Sequence, residues 1–318
     1  MVSPTDTHRS SSASGVAYGL AAFGTWGLCP IYFKAIAAVD PVEVLCHRVI
    51  WSVVFLATLL VVTRQVAALK LVVRTRAAIL ALLASTVLIA VNWFVFIWAV
   101  SHDQIVEASL GYFINPLVNV LFGFMFLRER QRPLQVASIA LALVGVAYLT
   151  VQVGRLPWVS LTLACSFGLY GLVRKVLAVQ AVVGLTVETL ILLVPALGVV
   201  TYLHATGQSA FGRGDTTIDL LLVAAGLVTA IPLLWFTAAA RRLRLSTLGF
   251  LQYIAPSGQF LLAVLYYGER LDRDRMISFT FIWTALAIYS WDTLRKTRRV
   301  GPSSAGAALP VVARPAGK

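Results

Sequence analysis

The chain has 318 residues, 59% hydrophobic and 12% charged, with a formal net charge of +13 and a mean hydropathy of +0.85. So little polar surface cannot cover a water-soluble globule of this size, which excludes a soluble domain and indicates an integral membrane protein. The basic residues are spread between apolar runs rather than gathered on one compact domain, so nucleic acid is excluded as the partner.

Residues 1–14 are polar and rich in Ser and Thr, and read as a flexible tail. Ten apolar stretches follow, each near the roughly 20 residues that cross a bilayer core. They run Gly15 to Phe33, Pro41 to Val62, Ala77 to Val100, Ile105 to Leu127 and Leu134 to Val153, then Leu156 to Val173, Val179 to Tyr202, Ile218 to Ala240, Leu245 to Tyr267 and Met276 to Trp291. Short links and no alternation of apolar with polar residues favour helices over a barrel. The first stretch ends near Ala35-Ile36-Ala37 in the manner of a signal peptide, but it is long and belongs to the repeat described below, so it is expected to be retained. Residues 294–318 form a second, basic tail. Cys29, Cys46 and Cys165 sit in three different stretches without paired spacing, which indicates neither a disulfide framework nor a metal site.

Alternate links are basic: Arg64, Lys70, Arg74 and Arg76; Arg128, Arg130 and Arg132; Arg174 and Lys175; Arg241, Arg242 and Arg244; and Arg295, Lys296, Arg298 and Arg299. The other links hold most of the acids: Asp40, Glu43, Asp103, Glu107, Asp215, Asp219, Glu269, Asp272 and Asp274. The positive-inside bias then puts both termini in the cytoplasm.

At a shift of 140 residues, Phe113-Ile114-Asn115-Pro116 falls on Tyr253-Ile254-Ala255-Pro256, Glu129-Arg130 on Glu269-Arg270, Tyr112 on Gln252 and Asn119 on Gln259. Trp26-Gly27-Leu28 and Lys34 fall on Phe167-Gly168-Leu169 and Lys175 at a shift of 141. The chain is therefore read as all-α, with ten transmembrane helices in two repeats, 15–153 and 154–293. Five helices per repeat is an odd number, so the second copy enters from the opposite side and the repeats are inverted. Such repeats place a shared site near the midplane.

Several segments carry a family resemblance: Pro30-Ile31-Tyr32-Phe33-Lys34, His47-Arg48-Val49-Ile50-Trp51-Ser52, Asn92-Trp93, Phe96-Ile97-Trp98-Ala99-Val100, Glu107 to Pro116, Tyr170 to Lys175 and Arg242 to Phe250. The chain resembles the RarD, or chloramphenicol-sensitive, proteins of the EamA branch of the drug/metabolite transporter superfamily. That resemblance implies ten helices, two EamA repeats and residence in the bacterial plasma membrane. It implies no substrate.

The residues themselves supply the candidate chemistry. Arg48 and Glu188 are charges within apolar stretches and occupy equivalent positions in the two repeats. A charge at mid-membrane costs about 2.5–3.5 kcal/mol on insertion scales, so it faces a cavity or finds a partner. On the functional reading Arg48 holds an anionic solute group and Glu188 binds a proton or cation; on the opposing reading both snorkel or form structural bonds. Glu43 and His47 stand one turn apart and suit either proton relay or a structural pair. Tyr112, Asn115 and Asn119 share one face of the fourth stretch, and Gln252, Pro256 and Gln259 repeat it on the ninth, with Tyr253 beside them. Asn92 and Trp93 join the pathway candidates, and Pro116 and Pro256 are the matched hinge candidates.

A secondary transporter for a small organic solute, driven by protons or exchange, accounts best for these features. A channel or lipid-handling protein is the alternative. An intramembrane enzyme is disfavoured by the absence of a Gly-x-Ser-x-Gly elbow or a His-Glu-x-x-His helix. No phosphate loop is present, and neither cofactor nor metal is indicated. The expected partners are the solute and the lipid bilayer; the residues carry no signal for an oligomeric state.

Overall fold

The computed structural model describes residues 4–73, 75–127, 132–154, 156–177, 179–240, 242–243 and 251–299. Among the described residues all regular structure is helical. The order is α1 (Pro4–Ala35), α2 (Pro41–Val62), α3 (Val66–Val73), α4 (Arg76–Ser101), α5 (Ile105–Leu127) and α6 (Pro133–Val153), then α7 (Trp158–Val176), α8 (Ala181–Ala205), α9 (Thr216–Ala240), α10 (Ile254–Leu261, continuing as a π turn over Leu262–Tyr266) and α11 (Arg273–Arg299). Helices suit this composition because hydrocarbon offers the backbone no water to bond, and a helix satisfies its own N–H and C=O groups.

Seven of these helices, α1, α2, α4, α5, α6, α8 and α9, are long and apolar enough to cross a membrane; α7 and α10 are shorter apolar helices. They form one bundle. α2 packs on α8 and α9, α1 on α9 and α10, α7 on α4 and α5, α5 on α10, and α6 on α11. Two glycines let one helix lie against the backbone of another. A Cβ on Gly226 would meet the Trp51 backbone at 2.5 Å, and one on Gly111 would meet the Ser160 carbonyl at 2.7 Å, so α9 and α7 lie directly against α2 and α5. The main apolar core runs through α1, α4, α5, α7 and α11, around buried Phe33, Phe96, Phe113, Leu163 and Phe279.

The start of α2 is fixed locally: Asp40 accepts the Val42 N–H at 2.8 Å, and Pro41 occupies the first turn, where its missing donor costs nothing. Elsewhere the structure departs from the sequence reading. α1 begins at Pro4 rather than Gly15, and α11 continues to Arg299, so residues read as tail at both ends extend these helices. α3 was not foreseen; it fills the basic link before α4.

The two matched prolines behave differently. α5 runs unbroken through Pro116. By contrast Pro256 lies in the first turn of α10, after a turn at residues 252–253, so Gln252 and Tyr253 are not on a helical face continuous with Gln259. Proline cannot donate to the carbonyl four residues upstream, here that of Gln252, and the chain turns at that point. Glu129-Arg130, the counterpart of Glu269-Arg270, and the start of the expected ninth helix lie outside the described residues.

Candidate functional site

Arg48 lies about 10 Å along α2 from its start, at 1.5 Å per residue. Its guanidinium carbon stands 4.2 Å from the centroid of the Trp93 ring and 5.7 Å from that of Phe33. Such cation–π contacts are worth up to about 2 kcal/mol when desolvated, which offsets only part of the cost of the charge. Cys29, Tyr32 and Tyr112 lie within electrostatic reach. Aromatic rings continue the wall: Tyr32 meets Phe33, Phe33 meets Phe96 and Phe96 meets Tyr112 edge-on, with centroids 5.0, 5.7 and 5.9 Å apart. The Arg48 Nε is buried without a hydrogen-bond partner, and among the described residues no carboxylate pairs with Arg48.

Asn92, on α4, positions this wall. Its amide donates to the Leu163 carbonyl and to Ser166 Oγ, both at 3.1 Å, and its carbonyl accepts from the Tyr112 hydroxyl at 3.3 Å. Asn92 is thereby fully committed, and Trp93 beside it is left to face Arg48. One turn beyond Tyr112, Asn115 is completely buried, and both polar atoms of its amide lack a partner. A buried amide that the protein leaves unbonded costs about 1–3 kcal/mol.

Glu188 occupies the equivalent place on α8, completely buried, about 10 Å from the helix start at the same rise. Its surroundings are the opposite of those at Arg48. Ser85 donates to Oε1 at 2.6 Å, Tyr170 donates to Oε2 at 3.2 Å, and Arg174 lies 3.6 Å from Oε1. In sequence, the shift of 141 sets Phe33 against Arg174 and Cys29 against Tyr170. Phe33 and Cys29 lie near Arg48 without an opposite charge, whereas Arg174 brings one to Glu188.

Glu43 and His47 lie together near the start of α2 without bonding directly. Both Glu43 carboxylate oxygens accept from the 205–216 link: Ser209 Oγ donates at 2.7 Å, the Ala210 N–H at 2.8 and 2.9 Å, and the Phe211 N–H at 3.2 Å. His47 accepts the Trp51 indole N–H on Nδ1 at 3.3 Å, so the neutral ring carries its proton on Nε2, which stands 4.0 Å from Glu43. The Phe211 ring lies over the imidazole, 4.7 Å between centroids.

The amide faces of α5 and α10 serve helix contacts in part. Gln259 is buried and donates to the Trp26 carbonyl at 3.1 Å, tying α10 to α1. Asn119, its counterpart, is exposed and lies beside Gly168 and Gly171 of α7. Gln252 is half-buried in the turn, and Tyr253 packs half-buried near Tyr289 and Ser290 of α11. Pro116 is half-buried within α5 and Pro256 is buried.

Ties gather at the links on the Asp40 side. Glu269 accepts the N–H groups of Ile105 and Val106, both at 2.8 Å, and so caps α5. Lys34 pairs with Asp103, and Arg275 reaches Glu107 at 3.7 Å. Burial pushes the Glu269 carboxyl above its ordinary value; Asp103 adds to the rise, while the two N–H groups and Lys34 oppose it.

The profile of the EamA-like transporter family matches residues 13–151. Protein RarD of Escherichia coli (strain K12) is 49% identical over 285 residues, covering 90% of this chain and 96% of that protein. The chain belongs to the RarD family. Protein RarD of Salmonella typhi is 50% identical over the same share of the chain and 97% of its own length, and the uncharacterized transporter YojE of Bacillus subtilis (strain 168) is 39% identical over 91% and 98%. A protein crystal structure 20% identical in sequence matches with a TM-score of 0.56 over 89% of this chain and 99% of the other, a likeness of fold alone. RarD membership makes this a bacterial multi-pass membrane protein of a transporter family, not an enzyme.

In this RarD-family chain, several site residues escaped the sequence reading. Arg174 ends an apolar run beside Lys175 and so resembles an interfacial anchor, yet it turns inward to Glu188. Ser85 and Ser166 are buried hydroxyls without any spacing signal. Cys29 and Tyr170 could have been found by carrying the 141-residue shift past Leu28.

Proposed function

We propose that this RarD-family protein is a secondary transporter that moves a small organic solute across the plasma membrane by alternating access, with the solute held at Arg48. The observation that carries this reading is a mid-helix guanidinium with a buried, unbonded Nε set against an aromatic wall. A purely structural arginine at this depth would be expected to have a carboxylate or carbonyl partner.

Ten spans in two inverted repeats complete the proposal. Its support is the packing pattern: exchanging α1 with α7, α2 with α8, α4 with α9, α5 with α10 and α6 with α11 carries the pair α1–α9 onto α7–α4, α1–α10 onto α7–α5 and α2–α9 onto α8–α4. In that frame the links tied by Glu43, Glu269, Lys34 and Arg275 are external, both termini are cytoplasmic, and the described state is closed outward. Glu43 then acts as a latch on the 205–216 link, and Glu188 remains the candidate for proton coupling. Pro116 and Pro256 differ in setting and so would bend differently.

The test is solute counterflow in proteoliposomes. Saturable exchange that Arg48→Ala abolishes in a folded protein supports the reading, whereas non-saturable flux indifferent to that substitution indicates a channel. Reporter fusions within residues 207–215 should report an external location; a cytoplasmic one removes the inverted-repeat frame.

A further inference from the structure

Resting on Arg48 as the solute site, we infer that the solute is an organic anion: one carboxylate or sulfonate on a flat, apolar body, without a cationic group.

The charge balance at the site carries the anion. Arg48 has no carboxylate partner among the described residues, and the buried acids on the neighbouring helices are already engaged. Glu43 holds the 209–211 backbone, and Glu188 is bonded by Ser85 and Tyr170 and paired with Arg174. An anion entering beside Arg48 gains a charge-assisted, two-pronged contact that the protein leaves open. An ammonium group entering with it would find no free carboxylate and would meet the guanidinium as a like charge. Zwitterions are therefore disfavoured along with cations.

The walls carry the flat apolar body. Phe33, Trp93 and Phe96 are all more than nine-tenths buried, and Tyr32 and Tyr112 continue the ring of aromatic edges. Tyr32 directs its hydroxyl away to the Leu221 carbonyl, and Tyr112 directs its own to Asn92, so both present carbon surface rather than donors. The open polar group at this wall is the guanidinium, whose Nε is buried without a partner. That inventory suits a single oxyanion head on an aromatic-sized body.

Three probes of one shape decide the matter: benzenesulfonate, which is permanently anionic, benzyltrimethylammonium, which is permanently cationic, and the zwitterion phenylalanine. Binding to the purified full chain is read by titration calorimetry, and transport by counterflow in proteoliposomes. Benzenesulfonate should bind at least tenfold tighter than either other probe. Arg48→Gln should weaken it at least tenfold, and Arg48→Lys, which keeps the charge but loses the fork, should recover only part. Melting curves of both variants establish that they fold; a structural arginine would lower the melt without changing the ranking of probes. Equal or tighter binding of the cation or zwitterion overturns the anion inference, as does undiminished sulfonate binding in a folded Arg48→Gln protein. Counterflow of phenylalanine or the ammonium probe, abolished by Arg48→Gln, would leave the transporter reading standing while refuting the anion. No counterflow of any probe together with no binding refutes both.

Discussion

Arg48 and Glu188 stand at equivalent steps of α2 and α8, yet one is left open and the other is closed. Around Glu188 the chain supplies a serine, a tyrosine and an arginine; around Arg48 it supplies aromatic faces. The difference lies at two pairs of positions 141 residues apart, Phe33 and Arg174, and Cys29 and Tyr170. Two charges at like steps of their helices can thus differ in whether the chain supplies them a partner.

The comparison breaks most visibly through stability. Glu188→Ala takes the buried carboxylate away from Ser85, Tyr170 and Arg174, and removing one member of a buried pair costs about 3–5 kcal/mol. Melting in detergent should fall sharply for that variant and less for Glu188→Gln, which retains an acceptor oxygen for one of the two hydroxyls. Arg48→Ala should stay within about 1 kcal/mol of wild type, because no partner is stranded. A melt lowered equally by Arg48→Ala and Glu188→Ala would erase the distinction. If Glu188 also couples protons, the Gln variant should flatten the pH profile of flux in vesicles.

A smaller effect is expected near the start of α2. Glu43→Ala strips acceptors from Ser209 and from two backbone N–H groups, at about 1.5–3 kcal/mol for bonds to a charged acceptor. Protease or hydrogen-exchange protection of the 205–216 link should drop while that of α8 holds. Protection lost in both places would mean that the two centres are not separate.

The smallest effect concerns Glu269. Loss of its cap on α5 in Glu269→Ala should cost about 1 kcal/mol. Because burial raises this carboxyl in the folded state, its contribution is greatest below the ordinary value of about 4.3 and is lost as pH rises through the raised value. Wild type should therefore gain on Glu269→Gln in melting temperature as pH falls from neutral toward that range. A difference independent of pH would show that Glu269 does not titrate with folding.

Much of this arrangement is legible in the sequence where the signal is local. Apolar runs mark the helices, since each run reports its own burial, and a charge within such a run stands out as Arg48 and Glu188 do. Partners are a different matter. Glu43 lies 167 positions from Ala210, and nothing in the spacing of either announces their bond. Arg174 reads as an anchor because its place at a helix end is visible and the direction of its side chain is not. The matched prolines mislead for a related reason: equal sequence context does not impose equal backbone geometry when the neighbouring turn differs. On the face of α5, Tyr112 bonds Asn92 and Asn115 stays unbonded, whereas Gln259 donates to the Trp26 carbonyl and ties two helices.

The central claim is that the first-half charge is open to solute and the second-half charge is not. Titration of benzenesulfonate into wild type, Arg48→Gln and Glu188→Gln, each verified as folded, tests it most directly. The account predicts at least tenfold weaker binding in Arg48→Gln and near-wild-type binding in Glu188→Gln. Equal losses in both, or undiminished binding in Arg48→Gln, would contradict it.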